Sequence, residues 1–284
     1  ISQSLAGRCG VLTLLPPSLN ELERFENSPD NLFSLLWQGC YPRIYDRQIP
    51  AHQWLRDYMI TYVQRDVRQI SQIGNLNTFT NFMKLCAGST AQEVNLSRLG
   101  SDAGIAHNTA KAWLSVLETA YLVFQIPAWH SNFRKQIIKA PKLHFYDSGL
   151  ACYLLGIRSP DELHHHPLRG AIFESWVASE IYKVFTNRGA LPSLFHYREA
   201  RGLEIDLLIE AANGLKAIEV KSGATVNRDF FKHLNKFMET VRRANQPVKS
   251  WLFYGGDDCY LRQGIQIAGW KNIVKMIDMA VFFE

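Results

Sequence analysis

The sequence of 284 residues contains little cysteine. The cysteines are odd in number, widely separated and without a C-x-x-C motif: Cys9, Cys40, Cys86, Cys152 and Cys259. Disulfide frameworks usually need an even set in a short secreted chain, and cysteine zinc sites need closely spaced pairs. We therefore expect neither kind of site, and we expect a reducing, cytoplasmic environment.

Long apolar runs are also missing. No stretch approaches the roughly 18 residues that would suggest a membrane span. The N-terminus lacks the basic segment and apolar core of a signal peptide. We therefore expect no membrane partner. The first residue is Ile1, not Met, and the opening residues resemble the middle of a fold. We expect the chain to be part of a longer protein, and the sequence leaves a homo-oligomer open.

Charge is nearly balanced, with 31 Lys and Arg against 26 Asp and Glu, a formal net charge of +5. So small an excess permits an acidic polymer as partner, but only clustering of the charge would favour one. The length and the changes of pattern along the chain indicate an α+β or α/β multidomain protein. We divide it into residues 1–90, 91–156 and 157–284.

The first region is helical by pattern, and Ser18 and Glu21 form a capping box that predicts a helix start. Residues 91–146 give a helix, a turn, a second helix and two strand-like runs, which is the order of a winged helix-turn-helix. Residues 157–169 are polar and predict a loop-like linker. From Gly170 onward helices and strands alternate as in an α/β domain.

The predicted winged helix carries a basic hairpin. Four cations lie within nine residues that contain no Asp or Glu: Arg134, Lys135, Lys139 and Lys142. Lys111 lies near the start of the second helix. Cations of this kind neutralise nucleic-acid phosphates, so we predict DNA as a partner. The alternative is that the winged helix is a packing spacer between neighbouring domains.

Two carboxylates and a lysine fall on adjacent predicted strands. Asp206 lies in the run 203–210, and Glu219 and Lys221 lie in the run 215–222. Side chains alternate along a strand, so Glu219 and Lys221 point the same way, and a hairpin can bring Asp206 beside them. Such a set suits Mg²⁺ or Mn²⁺, with Asp206 and Glu219 as ligands and Lys221 stabilising charge on a phosphate. The alternative is an ion pair on a solvated sheet face.

The preceding helix adds a carboxylate. On a helical wheel Glu180 falls inside the apolar stripe and Glu174 lies toward its edge. Either residue could face the predicted site, and the alternative for each is a glutamate that reaches solvent or pairs with an arginine. His164, His165 and His166 are predicted to be exposed and not to bind metal, because three consecutive histidines cannot all face one ion from a regular backbone.

Several motifs together resemble a known family. FESWVASE, GLEIDLLIE, AIEVKSG, PKLHFYDSGLACYLLG, YVQRDV and SLAGR are similar to the C-terminal region, a domain of unknown function, of bacterial and archaeal predicted ATPases of the AAA-like class. The resemblance covers nearly the whole chain. The end of that region resembles PD-(D/E)XK, or restriction-endonuclease-like, nucleases such as archaeal Holliday junction resolvases.

The resemblance implies a fold and a site. Gly170 to Glu174 matches the G-x-x-x-E of those nucleases, Asp206 matches their aspartate, and Glu219 to Lys221 matches their E-x-K. It therefore favours Glu174 over Glu180 as the helix carboxylate. It also implies that a P-loop ATPase domain precedes this region in the full-length protein. No G-x-x-x-x-G-K-[ST] occurs here, so we expect ATP to bind only with that domain.

In the intact protein Arg8 and Arg65 would then be nucleotide-sensing residues, although surface ion pairs are the simpler interpretation. Two functions stay open for the chain itself. The first is a Mg²⁺-dependent DNA endonuclease combined with a DNA-binding winged helix. The second is a catalytically inactive nuclease-fold module that binds DNA or a protein partner.

Overall fold

The computed structural model describes residues 10, 12–62, 75–130, 139–199, 202–243 and 246–282. These residues form a mixed α+β protein, with a helical N-terminal part and a C-terminal part built on a six-stranded sheet. The helices are α1 (Leu19–Leu22), α2 (Leu32–Gln38), α3 (Pro42–Asp46), α4 (Ala51–Thr61), α5 (Leu76–Gly88), α6 (Leu96–Ala103), α7 (His107–Thr119), α8 (Ser148–Leu155), α9 (Pro160–His165), α10 (Arg169–Thr186), α11 (Lys232–Arg243) and α12 (Ile273–Phe282).

Two sheets are present in the described residues. The strands are β1 (Gln92–Glu93), β2 (Val123–Ile126), β3 (Lys142–Phe145), β4 (Leu194–Arg198), β5 (Glu204–Ala211), β6 (Gly214–Lys221), β7 (Val248–Tyr254), β8 (Cys259–Arg262) and β9 (Ile265–Gly269). The small sheet has the order β1-β3-β2, and the large one has the order β4-β5-β6-β7-β9-β8. β4, β5 and β6 are antiparallel, β6, β7 and β9 are parallel, and β8 returns antiparallel to β9.

The large sheet has an apolar cluster on each face. Ile218 and Val220 of β6 pack in one cluster with α10 and the first helices of the chain. Ala217 and Leu215, at alternate positions of the same strand, pack in the other with α11. Burial on both faces explains why the strands read as nearly continuous hydrophobic runs. A third cluster lies among α4 to α8 and the small sheet.

The elements expected within residues 91–146 are present. Asn95 begins α6 by accepting a hydrogen bond from Arg98 N at 2.9 Å, and Gly104 ends it in a left-handed conformation with φ of 68°. Helix α7 follows, and β2 and β3 then pair antiparallel. Helix, turn, helix and strand pair therefore occur in the predicted order, with residues 131–138 of the basic hairpin outside the described residues.

The linker predicted over 157–169 is wrong for its central part, which is α9. Ser159 accepts a hydrogen bond from Glu162 N at 3.1 Å, and Pro160 occupies the first helical position. Both residues are signals of a helix start, but the loop prediction was based on the polar composition of the segment. Leu163 is fully buried, so this segment packs against the rest of the protein.

The helices within the described ranges include none with the length and apolar composition of a membrane span.

A buried aspartate joins the helical part to β3 and α8. Asp147 follows β3, and its two carboxylate oxygens accept hydrogen bonds from Leu150 N at 2.8 Å and from Cys40 N at 2.6 Å. The fit is close, because a Cβ on Gly39 would lie 2.3 Å from the Asp147 carboxylate and one on Gly149 would lie 2.6 Å from Gln38 O. One side chain therefore caps α8 and fixes the end of α2 against it.

We predict that Asp147→Ala lowers the free energy of unfolding by about 3 kcal/mol, because it leaves two buried N–H groups without an acceptor. The matched control is Asn95→Ala, which removes an exposed N-cap and should cost about 1 kcal/mol. Urea unfolding of both variants measures the difference. Equal losses would mean that Asp147 acts only as a helix cap.

Candidate functional site

A β-bulge lies at Asp206. Along β4 only His196 lies between two paired positions, whereas β5 places both Asp206 and Leu207 opposite it. Such a bulge disturbs the regular alternation of side chains and redirects one of them. As a result Ile205 packs in the apolar cluster beside α11, and Leu207 packs in the cluster beside α10 on the opposite face of the sheet. In a regular strand two residues at this spacing would point to the same face.

The Asp206 carboxylate lies where the pairing of β5 with β6 ends. The last backbone pair on this side is Leu207 with Ile218. Beyond it Val220 N donates to Asp206 Oδ2 at 2.8 Å. The side chain therefore takes an acceptor position that a strand carbonyl would otherwise fill, and the bulge directs it toward β6.

Glu219 and Lys221 meet Asp206 at this point. Lys221 Nζ lies 2.7 Å from Glu219 Oε1 and 3.6 Å from Asp206 Oδ2, so one ammonium group contacts both carboxylates. The alternative of an ion pair on a solvated face holds only in part. The ion pair is present, but Glu219 is 3% exposed and its Oε2 has no hydrogen-bond partner among the described residues.

The helix carboxylate beside this cluster is Glu174. Lys142 Nζ, on β3, lies 3.0 Å from Glu174 Oε1 and 2.9 Å from Glu204 Oε1. Asp206 and Glu174 interact electrostatically, as do Glu219 and Glu174. We name the group of Lys142, Glu174, Glu204, Asp206, Glu219 and Lys221 the carboxylate cluster.

Glu180 does not belong to the carboxylate cluster. Its carboxylate accepts from Leu19 N at 2.9 Å and pairs with Lys183 Nζ at 2.7 Å, with both side chains fully buried. The helical wheel identified it correctly as a core-facing residue. Its partners are nevertheless α1 and its own helix rather than the sheet.

Lys142 requires a correction to the predicted nucleic-acid surface. The prediction that it contacts phosphates is wrong, because it is 3% exposed and ion-paired on both sides. The reason is that all four residues of β3 are buried, with the Phe145 N–H bonded to Ser175 Oγ of α10. Lys142 therefore acts within the carboxylate cluster.

The other predicted residues lie elsewhere. Lys111 is exposed on α7, and Lys139 is exposed and donates from Nζ to Arg198 O at 3.3 Å. His164 and His165 are exposed as predicted, and His164 stacks on Phe33. His166 was predicted to be exposed but is half-buried, and its Nδ1 accepts a hydrogen bond from Leu168 N at 3.2 Å. The remaining predicted residues lie outside the described residues: Arg8, Arg65, Arg134 and Lys135.

Sequence reasoning missed three members or neighbours of the site. Glu204 lies two positions before Asp206, which was a usable signal. Lys142 was assigned to the nucleic-acid surface instead. His233, on the first turn of α11, has Nδ1 3.8 Å from Glu219 Oε1 and carried no signal, because its approach depends on how α11 crosses the sheet.

Burial and crowding shift the pKa values in the cluster. Burial, followed by the negative charge of Asp206, raises the pKa of Glu174 to about 8 and that of Glu219 to about 8. Burial opposes the charged form of Lys142, but Glu174, Asp206 and Glu204 outweigh it and raise its pKa. Asp206 and Glu219 likewise outweigh burial and raise the pKa of Lys221. Both lysines therefore stay charged at neutral pH.

The cluster can accept a cation through two carboxylates. Among the described residues no three His, Cys, Asp or Glu side chains are arranged as a metal-binding group. Mg²⁺, however, commonly takes one or two protein carboxylates and keeps several waters. Asp206 and Glu219 fit that requirement, because Glu219 Oε2 is buried without a partner in the described part of the chain and the excess negative charge raises two pKa values.

A cavity with a volume of about 680 Å³ lies between α4, α5 and α8, and no residue of the carboxylate cluster lines it. Met59, Ile60 and Leu76 line it together with His52 and Lys84, and none of the described residues in its lining is Asp or Glu. This lining therefore lacks the paired carboxylates that hydrolysis would need, and the carboxylate cluster is the better candidate for chemistry.

We predict that Asp206→Asn lowers the pKa of Glu219 and of Glu174 from about 8 toward, but not to, the ordinary glutamate value, since burial remains. The amide oxygen can still accept from Val220 N, which keeps the strand end intact. NMR titration of ¹³C-labelled glutamate carboxyl groups measures the shift. Glu210→Gln, at an exposed position of the same strand, is the control and should leave both values unchanged.

Comparison with known proteins finds two matching families and distant relatives. Residues 29–161 match a domain of unknown function (DUF8612), and residues 169–273 match another domain of unknown function (DUF4143). No solved structure matches the chain significantly.

Uncharacterized proteins of Mycobacterium tuberculosis and Mycobacterium bovis are each 26% identical over 225 residues, which cover 79% of this chain and 49% of theirs. The chain thus spans about half the length of the curated relatives it matches. Its C-terminal part is similar to the DUF4143 domain, and most of its length is similar to these mycobacterial proteins.

Proposed function

We propose that the chain contains a Mg²⁺- or Mn²⁺-dependent DNA endonuclease module of the PD-(D/E)XK type, built on the six-stranded sheet. One observation carries the proposal. Lys221 Nζ contacts both Glu219 and Asp206 at the point where the β5–β6 ladder ends, with Glu174 beside them. Two carboxylates that can hold a cation, with a lysine beside them, suit metal-assisted phosphodiester hydrolysis.

Each residue has a task in this proposal. Asp206 and Glu219 would hold the cation, which when bound lowers the pKa of a water and stabilises charge on the phosphate. Lys221 stays protonated, and its Nζ donates to a phosphate oxygen, opposing the negative charge that develops there. Lys142 keeps the Glu174 carboxylate in place through its 3.0 Å contact.

The same proposal assigns residues 91–146 to a winged helix that binds DNA. Its support is the order of α6, α7, β2 and β3, together with exposed Lys111 and Lys139. Arg134 and Lys135 remain predicted contacts, whereas Lys142 is not one of them. An ATPase domain elsewhere in the full-length protein also remains a prediction.

A second candidate function is a nuclease-fold module that binds without cutting. The observation that favours it is that each of the four carboxylates already contacts an ammonium group of the cluster. Lys142 pairs with Glu174 and Glu204, and Lys221 pairs with Glu219 and Asp206. An arrangement in which every carboxylate has an ammonium partner can be structural, and the next experiment distinguishes the two functions.

We expect the purified chain to nick plasmid or branched DNA in the presence of Mg²⁺ or Mn²⁺. Asp206→Asn and Lys221→Ala should each lower the rate by at least about 100-fold, because one removes a ligand charge and the other the donor to the phosphate. Glu210→Gln should cut at the wild-type rate. A wild-type chain that cuts no DNA substrate with either metal would favour the binding module.

Cation binding has a readout that is independent of cleavage. The pKa values of Glu174 and Glu219 are raised to about 8 in the folded state, so their contribution to stability is full below about pH 4.5 and is lost as the pH rises through 8. A divalent cation replaces the protons that dissociate. Mg²⁺ should therefore raise the melting temperature more at about pH 8.5 than at about pH 6.

At a free concentration of about 100 times its Kd, the cation adds roughly 2.7 kcal/mol to the free energy of unfolding. Differential scanning calorimetry with and without Mg²⁺ measures this effect. In the wild type the rise in melting temperature caused by Mg²⁺ should differ between the two pH values. Asp206→Asn should abolish that difference, and Glu210→Gln should retain it. An equal Mg²⁺ effect in wild type and Asp206→Asn would place the cation elsewhere.

A further inference from the structure

A basic cavity lies where the start of α11 meets the β8–β9 hairpin. Its volume is about 370 Å³, within the usual range for small-ligand sites. Three cations, two amides and one aromatic ring line it: Arg228, Lys232, Arg262, Asn235, Gln263 and Phe231. These described lining residues include no Asp or Glu, so the charge that they present is positive alone.

The three cations are available to a ligand. Arg228, Lys232 and Arg262 are all exposed. Among the ion pairs between described residues, none involves any of the three. Like charges around one concave surface repel each other and attract anions, and concave shape focuses that field. A bound anion would therefore stabilise these three cations, because no carboxylate of the described residues pairs with them.

The cavity wall is held by ordered structure. The Arg262 guanidinium lies over the Phe231 ring, 5.3 Å from its centre, and Phe231 is itself buried in the α11 cluster. A stacked guanidinium keeps its N–H donors at the edge, where they can grip a phosphate with two parallel hydrogen bonds. Gln263 and Gly264 form the β8–β9 turn with φ of 54° and 76°, as a tight hairpin requires.

We propose that this cavity binds the phosphodiester backbone of a nucleic acid. It is a separate contact from the carboxylate cluster and from the predicted basic hairpin. The ligand chemistry follows from two guanidinium groups, a lysine, and two amides that can form hydrogen bonds with sugar or base atoms. Arg228, Lys232 and Arg262 contact the phosphates.

The position relative to the carboxylate cluster favours a polymer over a small anion. Lys232 lines the cavity, and His233, the next residue of α11, approaches Glu219. Successive helical residues point about 100° apart, so the cavity and the cluster adjoin neighbouring sides of one helical turn. A polymer with a phosphate at the cluster has further phosphates on either side of it, and these can reach a cavity at the next residue of the same helix. The proposed DNA substrate supplies the identity of the polymer, so this inference rests on the proposed function, but the binding itself does not depend on cleavage.

The test is equilibrium binding of a short fluorescent DNA duplex, measured by anisotropy in EDTA, so that no cleavage takes place. The cavity variant is Arg228→Gln, Lys232→Gln and Arg262→Gln together. The control variant removes the same charge from three exposed arginines of the helical part: Arg43→Gln, Arg47→Gln and Arg56→Gln. Melting curves establish that both fold.

The expected result is at least about a tenfold loss of affinity at moderate salt for the cavity variant. Its log–log salt slope should also be shallower by up to about 2.7, at roughly 0.9 for each phosphate that the variant no longer neutralises. The control variant should bind as the wild type does. The same comparison in an Asp206→Asn background should give the same loss, so failure of cleavage and failure of this cavity are distinguishable.

Three outcomes would overturn the proposal. One is equal affinity and equal salt slope for wild type and cavity variant, or no binding of duplex by the wild type. Another is that inorganic phosphate binds the wild type and not the cavity variant while duplex affinity is unchanged, which would make the cavity a small-anion site. The third is loss of labelled polyglutamate binding without loss of duplex binding, which would indicate an acidic protein partner.

Discussion

Buried negative charge is the constraint on which the centre of this protein depends. Glu174, Glu204, Asp206 and Glu219 converge from one helix and two strands, and Lys142 and Lys221 contact them directly as fixed cations. Ionised carboxylates away from water are costly unless they are paired. The protein meets this constraint by placing each lysine between two carboxylates, and by raising two glutamate pKa values so that protons can complete the balance.

This constraint also explains why the site lies at the end of a ladder rather than within it. Inside the paired region of β5 and β6 both faces are packed with apolar side chains, and the backbone groups are used. At Asp206 the bulge releases one carboxylate toward Val220 N, and Lys221 remains partly exposed. Charges can therefore be gathered here with access to solvent on one side.

Much of this arrangement could be predicted from the sequence. The order of strands and helices from Gly170 to β7 follows from period-two and helical patterns, and the E-x-K spacing places Glu219 and Lys221 on one face. The apolar, mixed tail gave no comparable pattern, and β8, β9 and α12 were not predicted. The bulge at Asp206 could not be predicted, since bulges follow from pairing with a specific partner strand. Nor could Lys142 be assigned, because a lysine in an isolated strand pattern gives no sign that glutamates of two other elements will enclose it. The capping signals at Ser159 and Pro160 were present and were outweighed by polar composition.

The Lys142 contacts have a consequence for the modularity of the chain. Lys142 lies in the segment that matches one family, and Glu174 and Glu204 lie in the segment that matches the other. The two segments therefore share a single charge balance. Separating them between residues 161 and 169 would leave a buried lysine on one fragment and surplus carboxylates on the other. Exchange of either segment between related proteins would succeed only where the partner segment supplies the matching charge.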